Sequence, residues 1–396
     1  MKLPSSLAQL KVLAILRTAC ACLINIQLLV ATGAAQDQTH AGPPAHPAHL
    51  QHGVNVGRFL DGTLQDDSYK CCNLEDLRLI KRIGFDHIRI LVEPGQLFDF
   101  SNPATLAGKS LDALDKIVGD CVTLRMGVIL AIALDEDRFK NKLGSDDVFG
   151  GQFTSFWRSF ASHYSKLQFP PDLISFEIKN EPGLNERDLT DAKWSEIQAN
   201  LVAVVRDAAK QNTIIATGAQ NSDIMGLLAL SPLSVDHVIY LFHYYEPYSF
   251  THQGETWNEN YAKFLKDQHV KYPYVAESAR TAADQVPDLI QRLFALHDME
   301  GATRDRIESD IHIVAEWAKI HAVIVICDEF GVFKPGPDPK DRAQWTQDVK
   351  TLLDKYGFSW TFWDYSSDSF GLVRAPNQLD ERVVTALGMT VPSAGP

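Results

Sequence analysis

Short β-forming runs alternate with stretches whose apolar residues return every three or four positions, and this alternation constrains the fold more than any other feature of the 396 residues. The β-forming runs fall at 52–56, 87–92, 127–134, 173–179, 213–217, 238–244, 322–329 and 360–365. The helical patterns fall at 73–83, 111–124, 153–164, 192–210, 306–320, 342–356 and about 381–387. Eight β/α units without a polar linker between them predict an α/β fold, a closed (β/α)8 TIM barrel forming a single catalytic domain over 51–392. Strands covered by helices on the outside read as continuous apolar runs, as the run from Ala322 to Cys327 does. An open dinucleotide-binding sheet would carry Gly-x-Gly-x-x-Gly after its first strand, and none follows here. Residues at about 246–304 are too many for one loop and read as an insertion with helices of its own.

The chain begins with basic residues Lys2, Lys11 and Arg17, runs apolar from Thr18 to Val30 and then turns to small residues. Residues 1–35 therefore read as a secretory signal peptide, their apolar core being short for a membrane anchor. Residues 36–50 form a Pro/His-rich linker in which His40, His46 and His49 are read as solvated rather than metal-binding. No later segment is apolar enough to span a bilayer, so a secreted protein, extracellular or periplasmic, is expected, and a monomer. The net charge of −13 excludes nucleic acid as a natural partner and favours a neutral ligand over an anionic one. Outside the leader, Cys71, Cys72, Cys121 and Cys327 lack metal-ligand spacing, so neither metal nor cofactor is expected. In an exported chain one disulfide from Cys71 or Cys72 to Cys121 is anticipated, with Cys327 a buried small hydrophobe.

Barrel active sites lie at the carboxyl ends of the strands. Two apolar runs end there in glutamates: the fourth in Asn180-Glu181-Pro182, the seventh in Glu329-Phe330-Gly331. Two carboxyl groups facing each other over a barrel mouth are what glycosidic cleavage needs, one to protonate the leaving oxygen and one to attack carbon or activate water.

These motifs resemble glycoside hydrolase family 5, cellulase-like retaining β-glycanases. So do His243-Tyr244-Tyr245-Glu246-Pro247, the segment from Phe250 to Gly254, the stretch from Gly53 to Gly57, Ile88-Arg89-Ile90 and Trp363-Asp364-Tyr365, in the family's order along nearly the whole domain. The resemblance implies a retaining double displacement with Glu181 as acid/base and Glu329 as nucleophile. It also implies substrate contacts from Arg89, Asn180, His243, Tyr245 and Trp363, with Arg89 keeping Glu329 ionised and Trp363 lying under the reactive sugar. An endo-β-1,4-glucanase acting on a polysaccharide or oligosaccharide is the first reading. An exo-acting β-glucosidase, a mannanase, a β-1,3-glucanase, or a carbohydrate-binding protein without turnover remain alternatives. One position departs from the pattern: Leu134 stands where the family has a histidine at the end of strand three.

Overall fold

The computed structural model describes residues 47–60, 63–66, 69–100, 106, 108–183, 188–257, 260–266, 268–375 and 378–392. All of them lie in one unit, Pro43–Pro396; the leader and most of the linker fall outside the described residues.

Strands β1 (His52–Leu60), β4 (His87–Val92), β5 (Gly127–Ile132), β6 (Ile174–Glu177), β7 (Thr213–Thr217), β8 (Val238–Tyr244), β9 (Val325–Phe330) and β10 (Ser359–Phe362) pair in sequence order, every pair parallel. β10 returns to β1 through His52 opposite Trp360, closing the barrel. A hairpin of β2 (Thr63–Asp66) and β3 (Tyr69–Cys71) continues β1 antiparallel beyond the barrel and has no counterpart in the expected pattern. A small pair, β11 (Val373–Ala375) with β12 (Gln378–Leu379), is likewise additional.

Alternate residues of the barrel strands enter different apolar layers. Ile129, Ile215, Ile239, Leu241 and Ile326 cluster with Leu50, while their strand neighbours Val128, Leu130, Ile214, Tyr240, Phe242 and Cys327 join the larger cluster shared with the helices. That division is the period-2 alternation of a sheet apolar on both faces. The inward set turns polar towards the carboxyl ends, where Arg89, Glu177, His243 and Asp328 are all buried.

The helix Asp147–Lys166 starts at its N-cap Asp146, whose side chain accepts from Phe149 N, and buries Phe149, Phe153, Phe156, Trp157, Phe160, Ala161 and Tyr164. Phe160 stacks with Phe156 at 5.2 Å and meets Tyr164 edge-on at 5.1 Å and Phe176 of β6 at 6.2 Å. This aromatic seat fixes the strand that leads to Asn180 and Glu181. Between β8 and β9 lie the helices Tyr248–Thr251, Ala276–Ala283 and Leu289–Glu300, and Ser249 N donates to Asp298 of the last at 2.6 Å.

The disulfide expected at Cys121 is not formed. Cys72 is disulfide-bonded, but Cys121 is free and buried on the inner face of the helix Lys109–Thr123, as Cys327 is within β9. Helical periodicity puts Cys121 into the core beside Leu114 and Val118, where it packs as a small apolar group.

At the barrel mouth Arg58 of β1 contacts Glu93, just after β4, at 3.2 Å, and Asp135, just after β5, in a second ion pair. Burial, with Asp135 beside it, pushes the Glu93 carboxyl up to about 7, against the pull of Arg58.

Replacing Phe160 with Ala is expected to cost about 3–5 kcal/mol, read as a lower urea midpoint. Because Glu93 titrates higher folded than unfolded, its contribution to stability is complete below an unfolded value of about 4.3 and is lost as pH rises through about 7. Thermal denaturation of Glu93→Gln should accordingly fall less than wild type between these pH values; an unchanged slope would contradict the assignment.

Candidate active site

Arg89, on β4 and fully buried, is the hub of the site. Its Nε and Nη2 donate to the two oxygens of Glu177 at 2.6 Å each, its Nη1 to Glu329 Oε1 at 2.6 Å and to Asn55 Oδ1 at 2.8 Å, and its Nη2 to Asn180 Oδ1 at 2.8 Å. Asp328 Oδ2 lies 3.1 Å from Nε. The planar guanidinium fork thus ties β1, β6 and β9 to β4 through acceptors that sequence separates by 34 to 240 positions.

His243 closes β8 between the two strand-end glutamates. Its Nδ1 is 3.1 Å from Glu181 Oε1 and 3.5 Å from Glu329 Oε2, and its Nε2 is 3.2 Å from Asp328 Oδ1. Burial pulls the ring down, but Glu329, Asp328 and Glu181 together outweigh it and hold His243 well above its ordinary value. Tyr245 donates its hydroxyl to Glu329 Oε2 at 3.0 Å. One oxygen of Glu181, one of Glu329 and a nitrogen of His243 all lie within 4.8 Å of one another. These atoms have the spacing of metal ligands as well as that of a carboxylate pair bridged by a histidine.

Burial is the largest influence on Glu329 and lifts its carboxyl above the usual range; His243 and Arg89 pull against it, and Glu181 adds to the lift. The restraint assigned to Arg89 alone is therefore shared with His243, and it is incomplete. Burial beside Asp328 pushes Glu177 up to about 8 despite Arg89, while the carboxyl of Asp328 is held low. A proton on Glu177 relieves the excess of carboxylates over cations in this layer.

Glu181 has φ of 44°, in the left-handed region and directly before a proline, where few non-glycine residues sit. Strain of this kind persists only where the surroundings impose it. Here Gln220, Asn221 and Ser222, themselves left-handed at 59°, 62° and 60°, reach across: Asn221 N donates to Pro182 O at 3.0 Å and His243 N to Ser222 O at 2.8 Å. Trp363 packs partly buried over Leu91, Ala131 and Ala133, and its carbonyl oxygen would lie 2.2 Å from a Cβ at Gly331. Only glycine admits the loop after β9 so close to the tryptophan.

All seven residues singled out in the sequence thus reach the mouth of the barrel, six of them in one contact network and Trp363 beside it. Leu134 is buried at the rim, next to Asp135 and its ion pair with Arg58. Glu177, Asp328, Asn55, Arg58, Glu93 and the 220–222 turn were not anticipated. The first two carried a signal: both are acids at inward positions of apolar runs.

The family model for Cellulase (glycosyl hydrolase family 5) matches residues 66–369. Endoglucanase 3 of Fibrobacter succinogenes is 23% identical over 358 residues, covering 86% of this chain but only 53% of that protein, so the match spans about half of its length. Endoglucanase C of Acetivibrio thermocellus is 24% identical over 301 residues, 75% of this chain and 84% of that one. Among solved structures, the endoglucanase Cel5A of Thermotoga maritima, determined with cellobiose as a mutant form, superposes with a TM-score of 0.71 at 24% identity, over 86% of this chain and 97% of that one. The same Cel5A in complex with mannotriose gives 0.70 at 23% identity, over 86% and 98%. The chain belongs to the cellulase family, glycosyl hydrolase family 5, and is a glycoside hydrolase built on a closed (β/α)8 barrel.

Proposed function

We propose that the protein is a secreted, retaining endo-β-1,4-glucanase in which Glu329 is the nucleophile and Glu181 the general acid and base. The observation that carries this reading is the carboxylate pair bridged by His243, with an oxygen of each within 4.8 Å. Retaining enzymes hold their carboxyl groups about 5–5.5 Å apart, whereas inverting ones leave about 6.5–9.5 Å for a water. Glu329, gripped by Arg89 and Tyr245, is fixed for in-line attack on the anomeric carbon. Glu181, 22% exposed in its side chain, is reachable by the leaving oxygen and later by water.

In the first step Glu329 bonds to the anomeric carbon while the glycosidic C–O bond breaks and Glu181 gives its proton to the departing hydroxyl. In the second, Glu181 takes a proton from water, and the water oxygen displaces Glu329 with the configuration restored. Asn180, held by Arg89, is placed for the sugar 2-hydroxyl, and Trp363 for the apolar face of the ring. A neutral β-glucan suits the acidic chain. Mannan is the second candidate, because the neighbouring Cel5A structure holds mannotriose. Residues 1–35 serve as the export signal and 36–50 as the linker.

On a panel of soluble β-glucans, wild type should release reducing sugar from at least one. Glu329→Gln should release none while still binding, and Glu181→Gln should lose about 10²–10⁴-fold in kcat. A wild type that binds but never cleaves would sink the enzymatic reading. Proton NMR of the first-formed product should show the β anomer ahead of mutarotation; an initial α anomer would mean inversion by direct attack of water and overturn the double displacement.

A further inference from the structure

Side chains of a regular strand alternate between faces, so two consecutive acids at a strand end cannot both enter the barrel. Asp328 and Glu329 nevertheless do. Against β8 the register runs from Phe242 opposite Cys327 to His243 opposite Glu329; against β10 it runs from Trp360 opposite Cys327 to Phe362 opposite Phe330. On both sides β9 carries one extra residue, a β-bulge that re-aims what it holds. Through it Asp328, entirely buried, comes to lie 3.1 Å from Arg89 Nε and 3.2 Å from His243 Nε2, while Glu329 keeps its own contacts to Arg89 and Tyr245.

His243 is then enclosed by carboxylates at both ring nitrogens: Asp328 at Nε2, Glu181 and Glu329 at Nδ1. A neutral imidazole has one N–H and one lone pair. Whichever nitrogen lacked its proton would aim a lone pair at an anionic oxygen, so this enclosure is attractive at both ends only for the imidazolium. The other titratable groups acting on the ring are Asp223 from the loop after β7 and Glu177 from β6, while Arg89 of β4 is held to the same Asp328 and Glu329 that the ring contacts.

We propose that Asp328 is a positioning residue that fixes His243 as a doubly protonated, charged donor between Glu181 and Glu329. Asp328 touches no substrate. It acts through the ring by charge: its Oδ1 lies 3.2 Å from Nε2 without hydrogen-bond alignment, and its negative charge there favours the imidazolium, whose Nδ1 faces Glu181 and Glu329 and lets both acids sit within 4.8 Å. Loss of Asp328 would free the ring to become neutral and leave the glutamate pair facing each other with less positive charge between them. The inference rests on the proposed function only in taking Glu181 and Glu329 as the reacting pair.

Nitrogen-15 NMR of the imidazole, assigned with His243→Asn, tests it without turnover. In wild type both ring nitrogens of His243 should read as protonated at about pH 7.5, a unit above the ordinary histidine value of about 6.5. In Asp328→Asn, and in the smaller Asp328→Ser, a neutral ring should appear at the same pH. In both variants the alkaline limb of kcat/KM should move down by about one pH unit or more, a tenfold loss at a fixed pH on that limb. A purely structural role for Asp328 would lower the melting temperature without moving that limb. An unprotonated Nε2 in wild type at about pH 7, or variants that keep both ring protons, would overturn the proposal. A wild type that cleaves no β-glucan while His243 follows the stated pattern would instead defeat the functional reading and support the role of Asp328.

Discussion

One buried guanidinium holds this barrel mouth together. Arg89 is fully buried, and burying a cation is costly unless acceptors surround it. They do: carboxyl oxygens of Glu177, Asp328 and Glu329 lie against it, and Asn55 and Asn180 complete the fork. Each acceptor enters from a strand end, so the register of β1, β6 and β9 relative to β4 is tied to the hydrogen bonds of one side chain. The same contacts orient Asn180 and Glu329. Fold and site therefore share one electrostatic constraint here, and what keeps the strands in register also aims the chemistry.

That sharing explains why so much could be read from the residues alone. The apolar runs at 87–92, 213–217 and 238–244 coincide with β4, β7 and β8, because helices cover one face and barrel packing fills the other, and the polar residues within them, Arg89 and His243 among them, point to the barrel mouth. Glu181, Glu329, Arg89, Asn180, His243 and Tyr245 meet because barrel topology brings strand ends together whatever their distance in sequence. Where the expected runs were too long, at 127–134 and 360–365, the strands stop at Ile132 and Phe362, and the chain beyond them enters the mouth.

What could not be read depended on departures from periodicity. The bulge at Asp328 is invisible to a period-2 rule, which would have turned one of the two acids outward to the helices. The left-handed residues Gln220, Asn221 and Ser222 carry no glycine to announce them, so nothing local marked the turn that braces Pro182 and His243. The hairpin 63–71 contains too few residues per strand to show a pattern. Cys121 was judged by compartment and cysteine arithmetic, whereas the face of its helix decided its fate.

Reacting centre and rim differ in how tightly they are specified. At the centre Glu329 is held by Arg89 and Tyr245 and lies close to His243, so a change to one partner leaves an uncompensated buried charge. At the rim, Leu134 sits beside an ion pair between Arg58 and Asp135, both with about a third of the side chain open to solvent. Partly exposed pairs contribute little to stability and can be exchanged cheaply. The buried Arg89 layer is therefore specified far more tightly than the partly exposed rim around it.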